Sequence, residues 1–165
     1  LQLERTCFPL HARVVEPVIE AVDQAREKRG MEIVDRVPRE KVVCADAGVL
    51  RVVLENLIGN AIRYGVDGGQ ILVETRAAGG MLEVSVQNES QGIPPEQLAR
   101  LFGRFSRLDL PGHARQRGTG LGLYICKEIV EKHGGQIWAE SKMGEWVRFT
   151  FSLPDSDEKV KESHA

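Results

Sequence analysis

Long apolar runs are missing from this chain. None approaches the ~20 residues that a bilayer-spanning helix needs, and no charged-then-apolar leader opens it, so nothing in this stretch points to direct membrane contact. Charge of one sign is missing too: the net charge is −2, which removes the basic field expected of a nucleic-acid partner. Cysteine is sparse. Cys7, Cys44 and Cys126 are an odd count with no CxxC spacing, and they read as small buried hydrophobes in a reducing cytosol rather than as redox or metal groups. His11, His113, His133 and His164 are scattered without metal-ligand spacing. The chain begins at Leu1 rather than Met, which points to a fragment or a processed product.

What is present is an ordinary globular composition, 42% hydrophobic and 28% charged over 165 residues, enough for one domain with a proper core. Apolar periodicity predicts a helix over 12–29 closing on Gly30, then short strands at 31–35 and 41–44. Asp46 has the position of an N-cap for a second long helix, 47–64, stopped by Gly65. The alternating runs QILVETR (70–76) and MLEVSVQ (81–87) read as a hairpin. A short helix is expected at 95–102, a third long one at 120–133, and two last strands at 136–140 and 145–153. Residues 155–165 read as a charged, frayed tail. Strands that neighbour one another as hairpins, with helices inserted between groups, argue for an α+β, two-layer sandwich: a mixed, mostly antiparallel sheet with helices on one face.

Three glycines alternate at 118, 120 and 122, immediately before the third helix. A glycine-rich turn feeding a helix N-terminus suits phosphate, because free N–H groups and the helix dipole point at the anion. Two common versions of that device are absent. A P-loop needs GK[ST], and a dinucleotide fold needs a strand directly before its glycines, where this chain has the basic, irregular LPGHARQR. The second helix adds a polar stripe, Asn56, Asn60 and Arg63 at i, i+4 and i+7 with Tyr64 beside it, next to the apolar stripe Leu50, Leu54, Leu57, Ile58 and Ala61. Amides and a guanidinium at the edge of a buried face suit Mg²⁺ and phosphate oxygens. Between positions 94 and 119 lie Arg100, Arg104, Arg107, Arg115 and Arg117, which a mobile lid could bring to a triphosphate.

In order along the chain, four motifs resemble the ATP-binding catalytic domain of sensor histidine kinases, within the wider gyrase, Hsp90, histidine kinase and MutL group. Asn56-x-x-x-Asn60-Ala61-x-Arg63-Tyr64 is similar to that family's N box, and Asn88-Glu-Ser90-Gln-Gly92-Ile93 occupies the place of its G1 box. Phe102-Gly-Arg-Phe105 resembles the F box, and Gly118-Thr119-Gly120-Leu121-Gly122-Leu the G2 box. The resemblance covers residues 8–154. It implies a Bergerat-type fold over residues 1–154, a lid at 94–119, ATP and Mg²⁺ as cofactors with Asn60 helping to hold the ion, and Arg107 or Arg115 as the lid arginine acting on phosphate. It further implies γ-phosphoryl transfer to a histidine on a separate, upstream dimerisation domain, relay to a response-regulator receiver domain, and a cytoplasmic location.

Two positions depart from the family pattern. Asn88 replaces the usual Asp that accepts from the adenine amino group, and Ser90 replaces a Gly. An amide oxygen still accepts, but without charge assistance. Asn56 stands where the ATPase branches carry a Glu that activates water, and an amide is no general base. Glu55 lies ~100° around the helix, so transfer to an external acceptor is favoured over hydrolysis. His11 opens HARVVEP without the following acid or the long helical hairpin of a phosphoacceptor. The competing readings are a degenerate docking module of the same fold, supported by Asn88 and Ser90, and a related serine kinase acting on an anti-anti-sigma factor.

Overall fold

The computed structural model describes residues 1–103 and 122–155. Its main sheet has five strands in the order β2-β4-β5-β7-β6: Glu32–Asp35, Gln70–Ala78, Met81–Glu89, Trp146–Pro154 and Ile137–Lys142. Only β2 and β4 run parallel; every other pairing in the sheet is antiparallel. The mixed, mostly antiparallel sheet inferred from hairpin-like neighbours is therefore the one that forms. β1 (Thr6–Pro9) and β3 (Val42–Ala45) make a separate two-stranded antiparallel ribbon.

Helices cover one face. Along α3 (Ala47–Tyr64), Leu50, Val53, Leu54, Leu57, Ile58, Ala61 and Ile62 are buried, the stripe expected from helical spacing. Cys126, Ile129 and Val130 do the same on α5 (Gly122–Lys132). They meet the inward residues of the sheet, among them Ile71, Val73, Val84, Val86, Phe149 and Phe151, in one core. On β5 every second residue faces inward, so Leu82, Val84 and Val86 are followed on that face by a polar residue, Asn88. This register puts an amide at the end of the core layer.

Asp46 caps α3 as expected, its side chain accepting from the Val49 N–H. A second donor, the Glu4 N–H at 2.9 Å, reaches the other carboxylate oxygen. These bonds, that from Glu4 first, hold the Asp46 carboxyl below its ordinary range. The C-terminus of α3 has an unforeseen clamp. Arg29 Nη1 donates to the carbonyls of Ile62 and Arg63 at 2.7 and 3.0 Å, and Nη2 to that of Gly65 at 2.7 Å. The last turn of a helix leaves such carbonyls without intrahelical partners.

Several expectations need correction. The single helix over 12–29 is a π-helical turn, His11–Val15, followed by α1 (Glu16–Ala21) and α2 (Asp23–Lys28). Pro17 has no N–H and its ring crowds the carbonyl four residues earlier, so the wider π turn ahead of it fits the residue. The helix expected at 95–102 is only α4, Pro95–Leu98, with turns beyond it. β1 was not foreseen at all. Its presence changes the cysteine chemistry: Cys7 and Cys44 are exposed, stand opposite one another and form a disulfide. Only Cys126 is the buried thiol expected of all three. Asp155 is no part of a frayed tail. It is buried, pairs with Lys41 Nζ at 2.9 Å and donates its N–H to the Gly80 carbonyl. The remainder of the proposed tail, 156–165, lies outside the described residues.

Candidate functional site

A pocket lies where the C-terminal half of α3 meets the ends of β5 and β7. Its lining is Asn60, Tyr64, Asn88, Ser90, Ile93, Val147 and Phe149. Helical spacing brings Asn60 and Tyr64, four residues apart, to the same wall. Alternation along β7 sends Val147 and Phe149 inward beside Asn88, with which Val147 is in register. The floor is thus apolar and the rim carries amides and a phenol, the composition of small-molecule sites in which a few polar groups fix orientation.

Asn88 is 4% exposed and its orientation is set locally. Its Nδ2 lies 3.1 Å from the Glu89 carbonyl and donates to it. Only the NH₂ end of the amide can face a carbonyl oxygen, so the amide's acceptor end is the other one. No donor among the described residues meets that Oδ1.

The loop after β5 is pinned to the turn between β6 and β7. The Ser90 N–H donates to the Glu145 carbonyl, and Ser90 Oγ accepts from the Gly92 N–H at 3.2 Å. The Ile93 N–H donates to Ser141 Oγ at 2.8 Å, while that hydroxyl donates to the Trp146 carbonyl. Gly92 has φ +93°, and a Cβ there would stand 2.8 Å from the Met143 Cα. Glycine is required at this position on both counts.

Comparison with known proteins places the chain in a family. The model of the Histidine kinase-, DNA gyrase B-, and HSP90-like ATPase family matches residues 45–157. The chain belongs to that family. Among relatives, the sensor histidine kinase WalK of Bacillus subtilis is 35% identical over 150 residues, which are 89% of this chain and 24% of WalK. The chain therefore spans about a quarter of that relative's length. Among solved structures, the catalytic domain of histidine kinase ThkA superposes with a TM-score of 0.81 at 31% identity, covering 94% of this chain and 99% of that one. Full-length ShkA in complex with AMPPNP gives a TM-score of 0.81 at 28% identity, over 93% of this chain and 32% of that one. ThkA has also been solved in complex with the response regulator TrrA, with a TM-score of 0.74 at 31% identity over 95% of this chain and 43% of that one.

Within this ATPase-family domain the residues singled out from sequence fall into three groups. Asn60, Tyr64, Asn88 and Ile93 line one pocket, and Gly92 shapes the loop that delivers Ile93. Arg63 lies over the Tyr64 ring, 6.0 Å from its centroid. Asn56 is outside the lining: its Nδ2 donates to the Val52 carbonyl at 2.7 Å, and its Oδ1 faces Gly122, where an added Cβ would sit 2.5 Å from that oxygen. It marks the side where α5 begins. Arg104, Phe105, Arg107, Arg115, Arg117, Gly118, Thr119, Gly120 and Leu121 lie outside the described residues. Glu55 is exposed and absent from the pocket, as its helical angle requires.

Val147 and Phe149 were missed as site residues. In sequence they are indistinguishable from core, and only their register beside Asn88 makes them pocket floor. Phe102 packs edge-on against Phe149, ring centroids 6.2 Å apart at 77°, so the segment leading away from α4 is tied to the pocket's floor. His11, set aside as a phosphoacceptor, is buried with Nε2 2.6 Å from Asp35 Oδ2. Among the described residues no helix is long and apolar enough to cross a membrane.

Proposed function

We propose that this domain binds Mg-ATP in the pocket at the end of α3 and donates the γ-phosphoryl group to a histidine on a separate dimerisation domain, for relay to a response-regulator receiver domain. The observation that carries the reading is the convergence of Asn60, Tyr64 and Asn88 on one apolar-floored pocket in a domain of this ATPase family. The adenine ring would lie against Val147, Phe149 and Ile93, and the Asn88 Oδ1 would accept from its 6-amino group. With the Asn88 NH₂ engaged by Glu89, an acceptor is the group left to offer, which favours a 6-amino purine over a 6-oxo one.

Asn60 is half-buried on the pocket wall, and its amide is a hard oxygen donor. Mg²⁺ takes few protein ligands beside phosphate and water, so the donor set fits. The ion would neutralise phosphate charge there. Arg63, beside the pocket-lining Tyr64, is assigned to phosphate oxygens, and Arg107 and Arg115 are assigned that role from the lid. Gly118, Thr119, Gly120, Leu121 and Gly122 would close over the triphosphate. Asn56 would touch the nucleotide side of that closure rather than the base. Because position 56 offers an amide, and Glu55 faces solvent, neither position supplies a base for water, and the phosphoryl acceptor is external. ATP use places it on the cytoplasmic side.

The test is to incubate this chain and Mg-ATP labelled in the γ-phosphoryl with a histidine-bearing dimerisation domain supplied in trans. Label that is acid-labile and alkali-stable on that partner supports the proposal. Acid-stable label would favour the serine-kinase reading, and inorganic phosphate alone would mean hydrolysis.

A further inference from the structure

Cys7 and Cys44 stand directly opposite one another on the β1–β3 ribbon and are joined across 37 residues of sequence. Both are exposed, while their strand neighbours Phe8, Val43 and Ala45 point inward and are buried. The third cysteine is their opposite. Cys126 is fully enclosed, burial pushes its thiol up to about 12, and it is inert to exchange at neutral pH. The chain thus offers one accessible cysteine pair and one protected thiol.

The pair is not needed as a staple. Domains that depend on disulfides are those too small to build a core, whereas here Leu50, Leu54, Leu57, Ile58, Ile71 and Phe151 are all fully buried in a continuous one. Where ATP is used the surroundings are reducing, and disulfides there are mostly transient or sensing; this second step rests on the kinase reading above.

The location gives the bond something to act on. β3 ends at Ala45, and the next residue, Asp46, is the N-cap of α3. One Asp46 oxygen accepts from Val49 inside the helix, and the other accepts from the Glu4 N–H just ahead of β1. The segment before β1 is therefore moored to the first turn of the helix that carries Asn60 and Tyr64 at its other end. We propose that Cys7 and Cys44 form a reversible thiol–disulfide site whose oxidation state sets how firmly this N-terminal segment is held to the start of α3.

The chemistry is ordinary exchange with a dithiol donor. One donor thiolate attacks a sulfur of the pair and the other cysteine leaves as thiolate. The donor's second thiol then resolves the mixed disulfide. The donor loses two electrons and two protons and becomes a disulfide, and Cys7 and Cys44 gain them as two thiols. Reduction leaves β1 held to β3 by its ladder hydrogen bonds and by the buried Phe8, and leaves the segment before β1 held to the start of α3 by the Glu4–Asp46 bond.

The experiment equilibrates the whole chain, without denaturant, in mixtures of reduced and oxidised dithiothreitol, quenches with an alkylating reagent and reads intact mass. Hydrogen exchange is then measured on the two end states. The expected result is that Cys7 and Cys44 become labelled together as the buffer becomes reducing, that Cys126 stays unlabelled, and that reoxidation reverses the change. The amides of Glu4 and Val49 should lose protection on reduction, and the double variant Cys7→Ser/Cys44→Ser should show the reduced exchange pattern in both buffers. A disulfide that yields only after denaturant is added would make it an inert staple and overturn the proposal. Thiols that stay free in oxidising buffer, or identical protection at Glu4 and Val49 in both states, would overturn it as well. No step uses nucleotide, so failure here is distinct from failure to bind ATP.

Discussion

Arg29 sits at the end of α2's trajectory, far in sequence from the pocket, yet removing it should loosen the pocket's main helix. Its guanidinium makes three bonds of 2.7 to 3.0 Å to the carbonyls of Ile62, Arg63 and Gly65. Hydrogen bonds to a charged group contribute about 1.5–3 kcal/mol each when well buried. The Arg29 side chain is 27% exposed, so water would replace part of what is lost, and the three share one donor group. A total of about 2–4 kcal/mol follows for Arg29→Ala. The ion pair to Asp67 adds little, because that carboxylate is 81% exposed. For a domain of this size the loss corresponds to a fall of roughly 5–12 °C in Tm. Arg29→Lys, with a point charge in place of a planar fork, should recover about a third of it. Because Asn60 and Tyr64 lie within the clamped end of α3, ATP affinity should fall in parallel. Urea unfolding of Arg29→Ala, Arg29→Lys and Asp67→Ala decides the matter. An Arg29→Ala variant within about 0.5 kcal/mol of the parent, or an Asp67→Ala variant that costs as much, would refute the reasoning.

Three further outcomes are expected. Gly92→Ala should cost about 2–3 kcal/mol in urea unfolding, since it combines a left-handed φ with a Cβ against the Met143 backbone, and it should weaken nucleotide binding by displacing Ile93. Asp46→Ala should cost about 1 kcal/mol at neutral pH. The folded-state carboxyl is held low by the Glu4 N–H first and by Val49 and Gly48 after it. The cap's contribution is therefore complete above the ordinary carboxylate range and lost as pH falls through the depressed folded-state value, so the difference between parent and variant should shrink in acid. Asn88→Asp should bind ATP roughly fivefold tighter by calorimetry, through a charge-assisted bond, while unfolding about 1–2 kcal/mol more easily, because a carboxylate oxygen would then face the Glu89 carbonyl.

The parts of the fold legible in sequence were those governed by short-range periodicity. The stripe Leu50, Leu54, Leu57, Ile58, Ala61 recurs at helical spacing, and the alternation of Leu82, Val84 and Val86 puts Asn88 inside by simple continuation. Asp46 and Gly30 announced a helix start and a helix end by local chemistry alone. What escaped notice depends on partners distant in the chain. β1 is four residues ending in proline, too short to alternate visibly, and it is defined by its pairing with β3. Without β1 there was no reason to set Cys7 against Cys44. Arg29 looked like one more cation at a helix end, and its three acceptors lie 33 to 36 residues away. Of the site, the polar residues were legible because amides on a buried face need a reason to be there. Val147 and Phe149 were not, because an apolar residue on an inward register looks the same whether it faces core or ligand.

Titration of this domain with Mg-ATP by calorimetry, beside Asn60→Ala, tests the central claim most directly. The account predicts saturable binding in the micromolar-to-millimolar range by the parent and its loss in Asn60→Ala, with that variant's unfolding unchanged within about 0.5 kcal/mol. No heat of binding from the folded parent, or undiminished binding by Asn60→Ala, would contradict it.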